Sequence, residues 1–468
     1  MKYKQLRFYV ITLLLFPCLS ISAQNIFRTT CQGNFSRLDS LLQKSPIDTL
    51  DHRGRSLLHW AVACKQEDLF DELVNKGIDI HLEDHDEQTP LHLAVKFDRR
   101  LYFKKLLELE SNKEWTTYYG ASLLELAVLD HNIFMVKQLI KLGVDIDAVN
   151  ERGSTALEIA NRLGAKKMIH VLDSLGADHN KVRTIELFGA FMGQTDPACK
   201  AQIFANNFIS TEESEFGSVF NKDNTAFFYA VDVDGNGRNE IRYSELMGNK
   251  WSQPKTILTH ETYGYNDPFL SPDEQRLYFI SKRPLDGKGA MKDFDIWYVE
   301  RLNNTWSEPI NAGPNINSSA NEYYISFTKD GSMYFSSNVN APEEREQYDF
   351  DLYSSKYIDG EFQKAIPVGK PVNTEEYEAD VFVDPNEQYL IFCSTKAGGY
   401  GRGDLYISFK KKDGTWSKSV NMGEEINTKH HELCPFVTMD GRYLFYTSDQ
   451  DIYWVSTKII DKIRERNQ

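Results

Sequence analysis

The sequence has 468 residues, too many for one ordinary domain, and 41% of them are hydrophobic, so each of two domains could bury a core. Acidic residues outnumber basic ones, and the formal net charge is −15. A surface of that sign repels phosphate backbones, which argues against nucleic-acid binding.

The N-terminus predicts an export signal. Three basic residues within the first seven positions precede an apolar stretch at 8–19 that is too short to span a bilayer comfortably. Small residues follow, and we place cleavage after Ala23, so that residues 1–23 form a signal peptide. The mature protein is then expected to be periplasmic or secreted, with no transmembrane span. A lipid anchor on Cys18 is the alternative, although the Phe-Pro pair before it fits a lipobox poorly.

A motif recurs every 33 residues in the first part of the chain. Its copies are Ser56-Leu57-Leu58-His59, Thr89-Pro90-Leu91-His92, Ser122-Leu123-Leu124-Glu125 and Thr155-Ala156-Leu157-Glu158. Ser or Thr can cap a first helix, and Gly77, Gly143 and Gly176 can take the left-handed conformation that ends a second one. The pattern resembles the ankyrin repeat. The resemblance implies an α-solenoid of about four clear repeats and a degenerate N-terminal capping repeat over residues 25–182.

Two details of these repeats carry further expectations. Glu125 and Glu158 stand where the ankyrin pattern has His, which suggests a looser loop in the later repeats. The cysteines Cys31 and Cys64 lie one repeat apart. Adjacent helices are about 8–10 Å apart and a disulfide needs Cα atoms within about 7 Å, so both thiols are expected to be free and buried.

Turn fingers of the solenoid are the candidate partner-binding elements. Trp115, Tyr118 and Tyr119 occur where a turn tip is expected, and exposed aromatic residues are enriched at interface anchors. The alternative is that a variant finger folds them onto its neighbours. The finger that includes His81, with acidic residues at 83–87, is expected to be merely solvated.

After a linker at residues 183–200, the pattern changes to short aromatic strands. Five copies of a strand-turn-strand unit follow with a period of 50–57 residues, and their turns contain Asp223, Asp273, Asp330, Asn386 and Asp440. Each turn leads to an apolar strand such as Leu277-Tyr278-Phe279, and an acidic residue then opens a third strand. Four short antiparallel strands in a repeating unit predict the blade of a β-propeller.

The best copies, Leu270-Ser271-Pro272-Asp273 and Leu277-Tyr278-Phe279, resemble the WD40-like repeats of TolB-type propellers. The resemblance covers about residues 201–460, with 461–468 left as a C-terminal tail. Five copies imply five blades, although TolB-type propellers usually have six, so a sixth unrecognised blade is the alternative. Residues Phe208-Ile209-Ser210-Thr211-Glu212-Glu213 resemble Val372-Asn373-Thr374-Glu375-Glu376 but have no blade before them. Residues Gln202 to Ile209 therefore fit the missing outer strand of the last blade. We expect them to complete the last blade and close the ring.

Carboxylates at one position of the blades form the candidate rim of the propeller channel. Eight residues before the turn, four blades carry Glu; with two nearby aspartates, the candidate set is Glu215, Asp267, Glu322, Glu378, Asp380 and Glu432. They either cap their own blades or bind a ligand or cation at the channel mouth. Clustered carboxylates repel each other, which raises their pKa values unless a cation intervenes.

The segment from Asp232 through Asp234 and Asn236 begins like a calcium loop. Tyr243 stands where the bidentate Glu of such a loop should be, so the match is weak and a plain turn is favoured. No other cofactor is indicated.

The sequence therefore predicts a multidomain α + all-β protein, an ankyrin solenoid followed by a β-propeller. We interpret it as a non-catalytic protein-interaction or ligand-binding protein of the bacterial cell envelope, whose partner is a protein or a cell-wall or glycan ligand. The alternatives are a glycoside hydrolase-like enzyme that uses carboxylates at the propeller channel, and a structural component of an envelope assembly. The oligomeric state stays open.

Overall fold

The computed structural model describes residues 21–33, 46–51, 53–110, 118–233, 237–303, 305–342 and 349–466, together with residues 40 and 42. The chain divides into two compact units, Met1–Arg183 and Thr184–Gln468. The predicted signal peptide lies almost wholly outside the described residues. No helix in the described ranges is both long and apolar enough to cross a membrane.

The first unit is a stack of helix pairs. The described helices are α1 (Ile21–Cys31), α2 (Leu57–Ala63), α3 (Glu67–Asn75), α4 (Pro90–Lys96), α5 (Arg100–Leu109), α6 (Tyr118–Leu129), α7 (Ile133–Lys141), α8 (Ala156–Arg162) and α9 (Lys166–Leu175). Gly77, Gly143 and Gly176 have φ values of 80°, 100° and 96°, which confirms their predicted left-handed conformation. The apolar faces of the helices bury one continuous core, as expected of an ankyrin solenoid.

Side chains of the repeat motif also join one repeat to the next. The His59 ring bonds Ser56 Oγ at 2.9 Å with Nδ1, and its Nε2 lies 2.9 Å from the carbonyl oxygen of Gln88 in the following repeat. In the later repeats the glutamates take over this role. Glu125 accepts a hydrogen bond from Asn150 Nδ2 at 3.0 Å, and Glu158 pairs with Arg183 at 2.8 Å. The two carboxylates thus also reach across to the following segment, each to a side chain 25 residues further along the chain, and the looser loop stays a prediction.

A disulfide joins Cys31 to Cys64, so the prediction of two free thiols is wrong. Their Cα atoms are 5.1 Å apart. The prediction used the distance between helix axes in place of the distance between Cα atoms, and the second distance is the shorter one. Because Cα atoms lie about 2.3 Å from their axis, two residues that face each other are about 4.6 Å closer than the axes. The bond fixes the end of α1 to the first complete repeat.

The second unit contains five sheets of four or five strands and one two-stranded hairpin, and the five larger sheets confirm the five-bladed propeller over the described residues. Strand β1 (Gln202–Ile203) belongs to blade 5. Blade 1 contains β2 (Ser214–Phe220), β3 (Ala226–Asp232), β4 (Asn239–Met247), β5 (Lys250–Trp251) and β6 (Lys255–Leu258), and blade 2 contains β7 (Asn266–Leu270), β8 (Arg276–Ser281), β9 (Asp295–Leu302), β10 (Thr305–Trp306) and β11 (Ile310–Asn311).

The remaining blades have the same antiparallel plan. Blade 3 contains β12 (Glu322–Phe327), β13 (Met333–Ser337), β14 (Asp351–Ser355) and β17 (Ile366–Pro367), with a separate hairpin of β15 (Tyr357–Ile358) and β16 (Glu361–Phe362). Blade 4 contains β18 (Glu378–Val383), β19 (Tyr389–Ser394), β20 (Asp404–Phe409) and β21 (Val420–Asn421), and blade 5 contains β22 (Leu433–Val437), β23 (Tyr443–Ser448) and β24 (Asp451–Ser456).

The ring closes as the sequence predicts. Strand β1 pairs antiparallel with β24, so that Gln202 faces Trp454 and Ile203 faces Tyr453. The backbone N–H of Phe204 continues the contact by donating to the carbonyl oxygen of Ile452 at 2.8 Å. The outer strand of the last blade thus comes from the beginning of the unit, so that one sheet holds both ends of the propeller.

Two segments described by the sequence as linker and tail belong to the propeller. In the predicted linker 183–200, the carbonyl oxygens of Leu187 and Gly189 accept hydrogen bonds from the backbone N–H and Nε1 of Trp251, and Phe191 is buried. The predicted tail 461–468 begins inside a tenth helix, α10 (Lys458–Arg466), whose isoleucines are buried against the propeller core. Neither segment contains a copy of the blade motif, so the period did not assign it to the propeller.

An asparagine joins consecutive blades at three junctions. Asn317, Asn373 and Asn427 each accept from the backbone N–H and donate to the carbonyl of one residue in the third strand of the preceding blade. For Asn427 the partner is Leu405, at 2.8 and 3.0 Å. At the ring closure, the Ser210 hydroxyl bonds both backbone groups of Ile452 instead.

Replacing Asn427 with alanine is expected to destabilise the propeller by about 1–3 kcal/mol, because the buried Leu405 N–H loses its acceptor, whereas the Leu405 carbonyl keeps the bond from the Met422 N–H. Urea unfolding of the full chain, followed by tryptophan fluorescence, measures the change. Asn386→Ala is the control, since that side chain is exposed in a turn. Equal midpoints for the two variants would contradict the prediction.

Candidate functional site

The four blade glutamates lie inside their own blades. Each accepts hydrogen bonds from the backbone N–H and hydroxyl of the Ser or Thr four residues earlier, namely Thr211 for Glu215, Ser318 for Glu322, Thr374 for Glu378 and Thr428 for Glu432. All four are buried, and burial raises the pKa of Glu215 to about 8 and that of Glu322 to about 7. These contacts match the capping alternative; a role at the channel rim stays a prediction.

A second position, six residues before each turn, is occupied by a bulge residue in all five innermost strands. Gly217, Asp267, Tyr324, Asp380 and Cys434 have φ values of 54°, 51°, 44°, 52° and 53°. The pairing register of the innermost strand shifts at the same place in each blade. Left-handed backbone is costly for residues other than glycine, and bulges redirect side chains. The five-fold recurrence of this conformation identifies a ring of equivalent residues.

Two of the predicted rim residues, Asp267 and Asp380, belong to this ring, and both contact a third member of it, Cys434. Cys434 Sγ lies 3.4 Å from Asp267 Oδ1, and the Cys434 backbone N–H is bonded to the Asp380 carboxylate. Tyr324 donates its hydroxyl to the carbonyl oxygen of Pro435 at 2.8 Å. Gly217 borders the same group, because a Cβ there would lie 2.7 Å from Asp267 Oδ1. Sequence reasoning missed Tyr324 and Cys434, although the blade alignment places them in one column with the aspartates.

Burial sets different proton affinities for the two aspartates. It raises the pKa of Asp267 to about 6. The hydrogen bond from the Cys434 thiol lowers this pKa and so offsets part of the rise. Burial, followed by the charge of Asp267, raises the pKa of Asp380 to about 8. Near neutral pH, Asp380 is therefore mostly protonated and can donate a hydrogen bond, while Asp267 mostly accepts. Burial also raises the pKa of the Cys434 thiol well above its usual range, so it is not a ready nucleophile.

A row of aromatic rings in blades 2–4 lies beside the two carboxylates. Ring centroids are 5.0 Å apart for Phe294 and Tyr323, 4.9 Å for Tyr323 and Phe350, and 5.6 Å for Phe350 and Tyr377. Burial and then the negative charge of Asp380 raise the pKa of Tyr377. The rings of Phe294, Tyr323 and Tyr377 are half-buried, and together with an acid and a carboxylate they can hold a polar ligand by hydrogen bonds and stacking.

Replacing Asp380 with asparagine is expected to reduce the loss of propeller stability as pH rises. The folded protein holds the carboxyl proton of Asp380 more tightly than the unfolded chain does. The resulting contribution to stability is complete below the ordinary aspartate pKa, near pH 4, and is lost as the pH rises to about 8. Urea unfolding should therefore show a smaller difference in the free energy of unfolding between pH 5 and pH 8 for Asp380→Asn than for the native protein. Asp359→Asn, in an exposed turn, should leave the native difference unchanged; a steeper loss in Asp380→Asn would refute this assignment.

The first unit carries an acidic cavity of about 230 Å³ across three repeats. Its walls include five carboxylates, from Glu83, Asp86, Glu87, Glu125 and Glu151, and one guanidinium, from Arg152. Asp84, predicted to be solvated with its neighbours, is instead buried: it pairs with Arg55 at 3.2 Å and accepts backbone N–H groups of its own turn. Asp84 thus stabilises the turn of the acidic finger. The negative charge of the cavity comes from the residues that flank Asp84.

The other predicted site residues are placed only in part. Trp115 lies outside the described residues, and Tyr118 and Tyr119 open helix α6. Asp232 is the last residue of β3, while Asp234 and Asn236 lie outside the described residues. Among the residues that the structure describes, no group of three or more His, Cys, Asp or Glu side chains could hold a metal ion. The finger contact and the calcium site stay predictions.

Comparison with known proteins supports the first unit. A family model for ankyrin repeats, with three copies, matches residues 26–117. The potassium channel AKT2/3 of Arabidopsis thaliana is 28% identical over 171 residues, which cover 35% of this chain and 21% of the channel. A putative ankyrin repeat protein of fowlpox virus is 25% identical over 144 residues, covering 29% of this chain and 23% of that protein.

The probable 26S proteasome regulatory subunit p28 of Saccharomyces cerevisiae is 28% identical over 153 residues, covering 31% of this chain and 67% of the subunit. The alignments to the plant channel and the viral protein span about a fifth of the length of each relative. The N-terminal part of this chain thus consists of ankyrin repeats, which form a protein-interaction fold.

Proposed function

We propose that this protein is a non-catalytic interaction protein of the bacterial cell envelope, and that its ankyrin fingers bind a partner protein with basic side chains. The acidic cavity across three repeats is the observation that carries the proposal. Five carboxylates against one guanidinium in a single concave surface give it a strong electrostatic preference. Ankyrin solenoids present such surfaces, and rigid repeats lose little freedom when they bind.

Two features support the location in the envelope. The N-terminal basic and apolar segments have the order of an export signal. The Cys31–Cys64 disulfide is typical of proteins that fold in an oxidising compartment. The predicted cleavage after Ala23 would leave the buried residues Ile26 and Phe27 of α1 in the mature chain. Mass spectrometry of the chain from an envelope fraction should find Gln24 as its first residue and the disulfide intact.

Affinity capture tests the partner. The immobilised mature protein is exposed to envelope extract, and retained proteins are identified by mass spectrometry. We expect Glu83→Lys with Glu151→Lys to lose the partner, because both residues are exposed and line the cavity. Glu72→Lys with Glu108→Lys reverses the same number of charges on second helices and should keep it. Equal retention by both double variants, or no specific retention at all, would contradict the proposal.

A glycoside hydrolase-like enzyme is the second candidate, and the Asp267–Asp380 pair is the observation that favours it. Glycosidases use one protonated and one ionised carboxyl group, and burial separates the pKa values of this pair in that sense. Polysaccharide panels distinguish the candidates. Sugar release that is lost in Asp380→Asn but kept in Asp359→Asn would favour the enzyme over the interaction protein.

A further inference from the structure

A second charged cavity, opposite in sign to the one on the repeats, lies at the outer part of blade 4. It has a volume of about 580 Å³. It lies between the segment from β20 to β21 and helix α10, and its walls are formed by Gln388, Phe409, Lys410, Ser417, Lys418, Ser419, Val420 and Arg464. That volume falls within the range typical of sites for small molecules.

The cavity is positively charged in a chain whose formal charge is −15. Its lining includes Lys410, Lys418 and Arg464 and contains no acidic residue. Lys410 has a partial counter-charge, since its Nζ lies 3.6 Å from Glu387 at the surface. Within the described part of the chain, Lys418 and Arg464 form no ion pair. The adjacent turn carries Lys411, Lys412 and Asp413, which are all exposed and lie outside the lining.

Aromatic rings fix two of the cationic groups. The Arg464 guanidinium lies 4.8 Å from the centroid of Phe409, and Lys410 Nζ lies 4.2 Å from that of Trp416. Stacking of this kind attracts a cation without consuming its hydrogen-bond donors. An arginine held by its face keeps its planar set of N–H groups for an oxyanion. The cavity therefore presents preorganised donors on two different elements, the blade and the C-terminal helix.

We propose that this cavity binds a small ligand that carries two or more phosphate or sulfate groups. Three cations placed on two elements exceed what one oxyanion needs, and the volume leaves room for a second. The Ser419 hydroxyl, which accepts from Lys396 Nζ at 2.9 Å and keeps its own proton to donate, and the Gln388 amide add polar lining suited to tetrahedral oxyanions. The site lies in the propeller unit and is independent of the acidic cavity of the repeats.

Calorimetric titration of the mature full-length protein tests the proposal with three probes: pyrophosphate, a trisulfated disaccharide and hexaglutamate. We expect pyrophosphate or the disaccharide to bind, and Lys418→Gln with Arg464→Gln to weaken that binding at least about tenfold. Lys412→Gln, in the neighbouring turn but outside the lining, is the control and should bind like the native protein. Higher salt should weaken binding, because the recognised charges are near the surface.

The probes also identify the source of the oxyanion. Binding of pyrophosphate alone indicates a phosphorylated ligand, and binding of the disaccharide alone indicates a sulfated glycan. The proposal fails if neither binds, if only hexaglutamate binds, or if the double variant binds as tightly as Lys412→Gln. Lys418→Gln alone serves as a check on folding, since Lys418 is exposed and its replacement should still weaken binding measurably.

Discussion

Replacing both Cys31 and Cys64 with serine is expected to lower the free energy of unfolding of the ankyrin unit by about 3 to 4 kcal/mol. The disulfide closes a loop of 33 residues, and removing such a constraint gives the unfolded chain more conformational freedom. The bond also holds α1 against α2, where Ile26 and Phe27 are buried. Without it, α1 should detach first, because a terminal helix contacts the stack on one side only.

Hydrogen exchange of the full chain can measure this loss in the ankyrin unit separately from the propeller. The amides of α1 and α2 should exchange much faster in the double variant, and reduction of the native protein should have the same effect. Cys199→Ser is the control, because Cys199 is a half-buried free thiol in the other unit. Unchanged protection of α1 in the double variant would show that packing alone holds this helix.

The sequence missed this disulfide for a geometric reason. Spacing by one repeat correctly placed Cys31 and Cys64 at equivalent points of adjacent repeats, but spacing carries no information on whether the two side chains face each other. At 5.1 Å between Cα atoms they do. The same limit applies to Glu158, whose partner Arg183 lies beyond the last recognised repeat motif. Contacts between repeats depend on orientation, which periodicity alone does not specify.

Periodicity predicted the blades well, because each blade repeats the same alternation of turn, apolar strand and acidic residue. It also located the β1 segment that closes the ring, since residues 208–213 match the segment at 372–376 that follows an outer strand. It failed where residue type varies within one column of the repeat. The bulge position holds Asp267, Tyr324 and Cys434 in different blades, so only the shared left-handed backbone reveals that these residues are equivalent.

The charged cavities show a further limit of sequence patterns. The acidic residues near Glu83 were visible as a run, but Asp84 within that run is buried and organises the turn. The positive cavity combines Lys418 with Arg464, which are far apart in the sequence and come together only because α10 packs against the propeller. A local run of charged residues thus shows where charge lies along the chain. The two charged cavities depend in addition on how the fold brings distant segments together.

Replacing Phe204 with alanine is expected to destabilise the propeller by about 3 to 5 kcal/mol, the range for removing a large buried aromatic side chain. Phe204 is fully buried where the ring closes, and its centroid lies 5.0 Å from that of Phe445 and 5.4 Å from that of Trp454. It also contacts Phe227 of blade 1 at 5.3 Å. The phenyl ring of Phe204 therefore packs between the first blade and the last. The cavity left by its removal weakens the packing of both blades.

Urea unfolding of the full chain, followed by tryptophan fluorescence, measures this effect, since Trp454 lies in the affected cluster. Phe188→Ala is the matched control: Phe188 precedes the closing strand but is 47% exposed, so its loss should change stability by less than about 0.5 kcal/mol. We also expect Phe204→Ala to aggregate more readily, because opening the ring exposes the edge of β24 for pairing with other chains. A midpoint equal to that of Phe188→Ala would show that closure does not depend on this aromatic cluster.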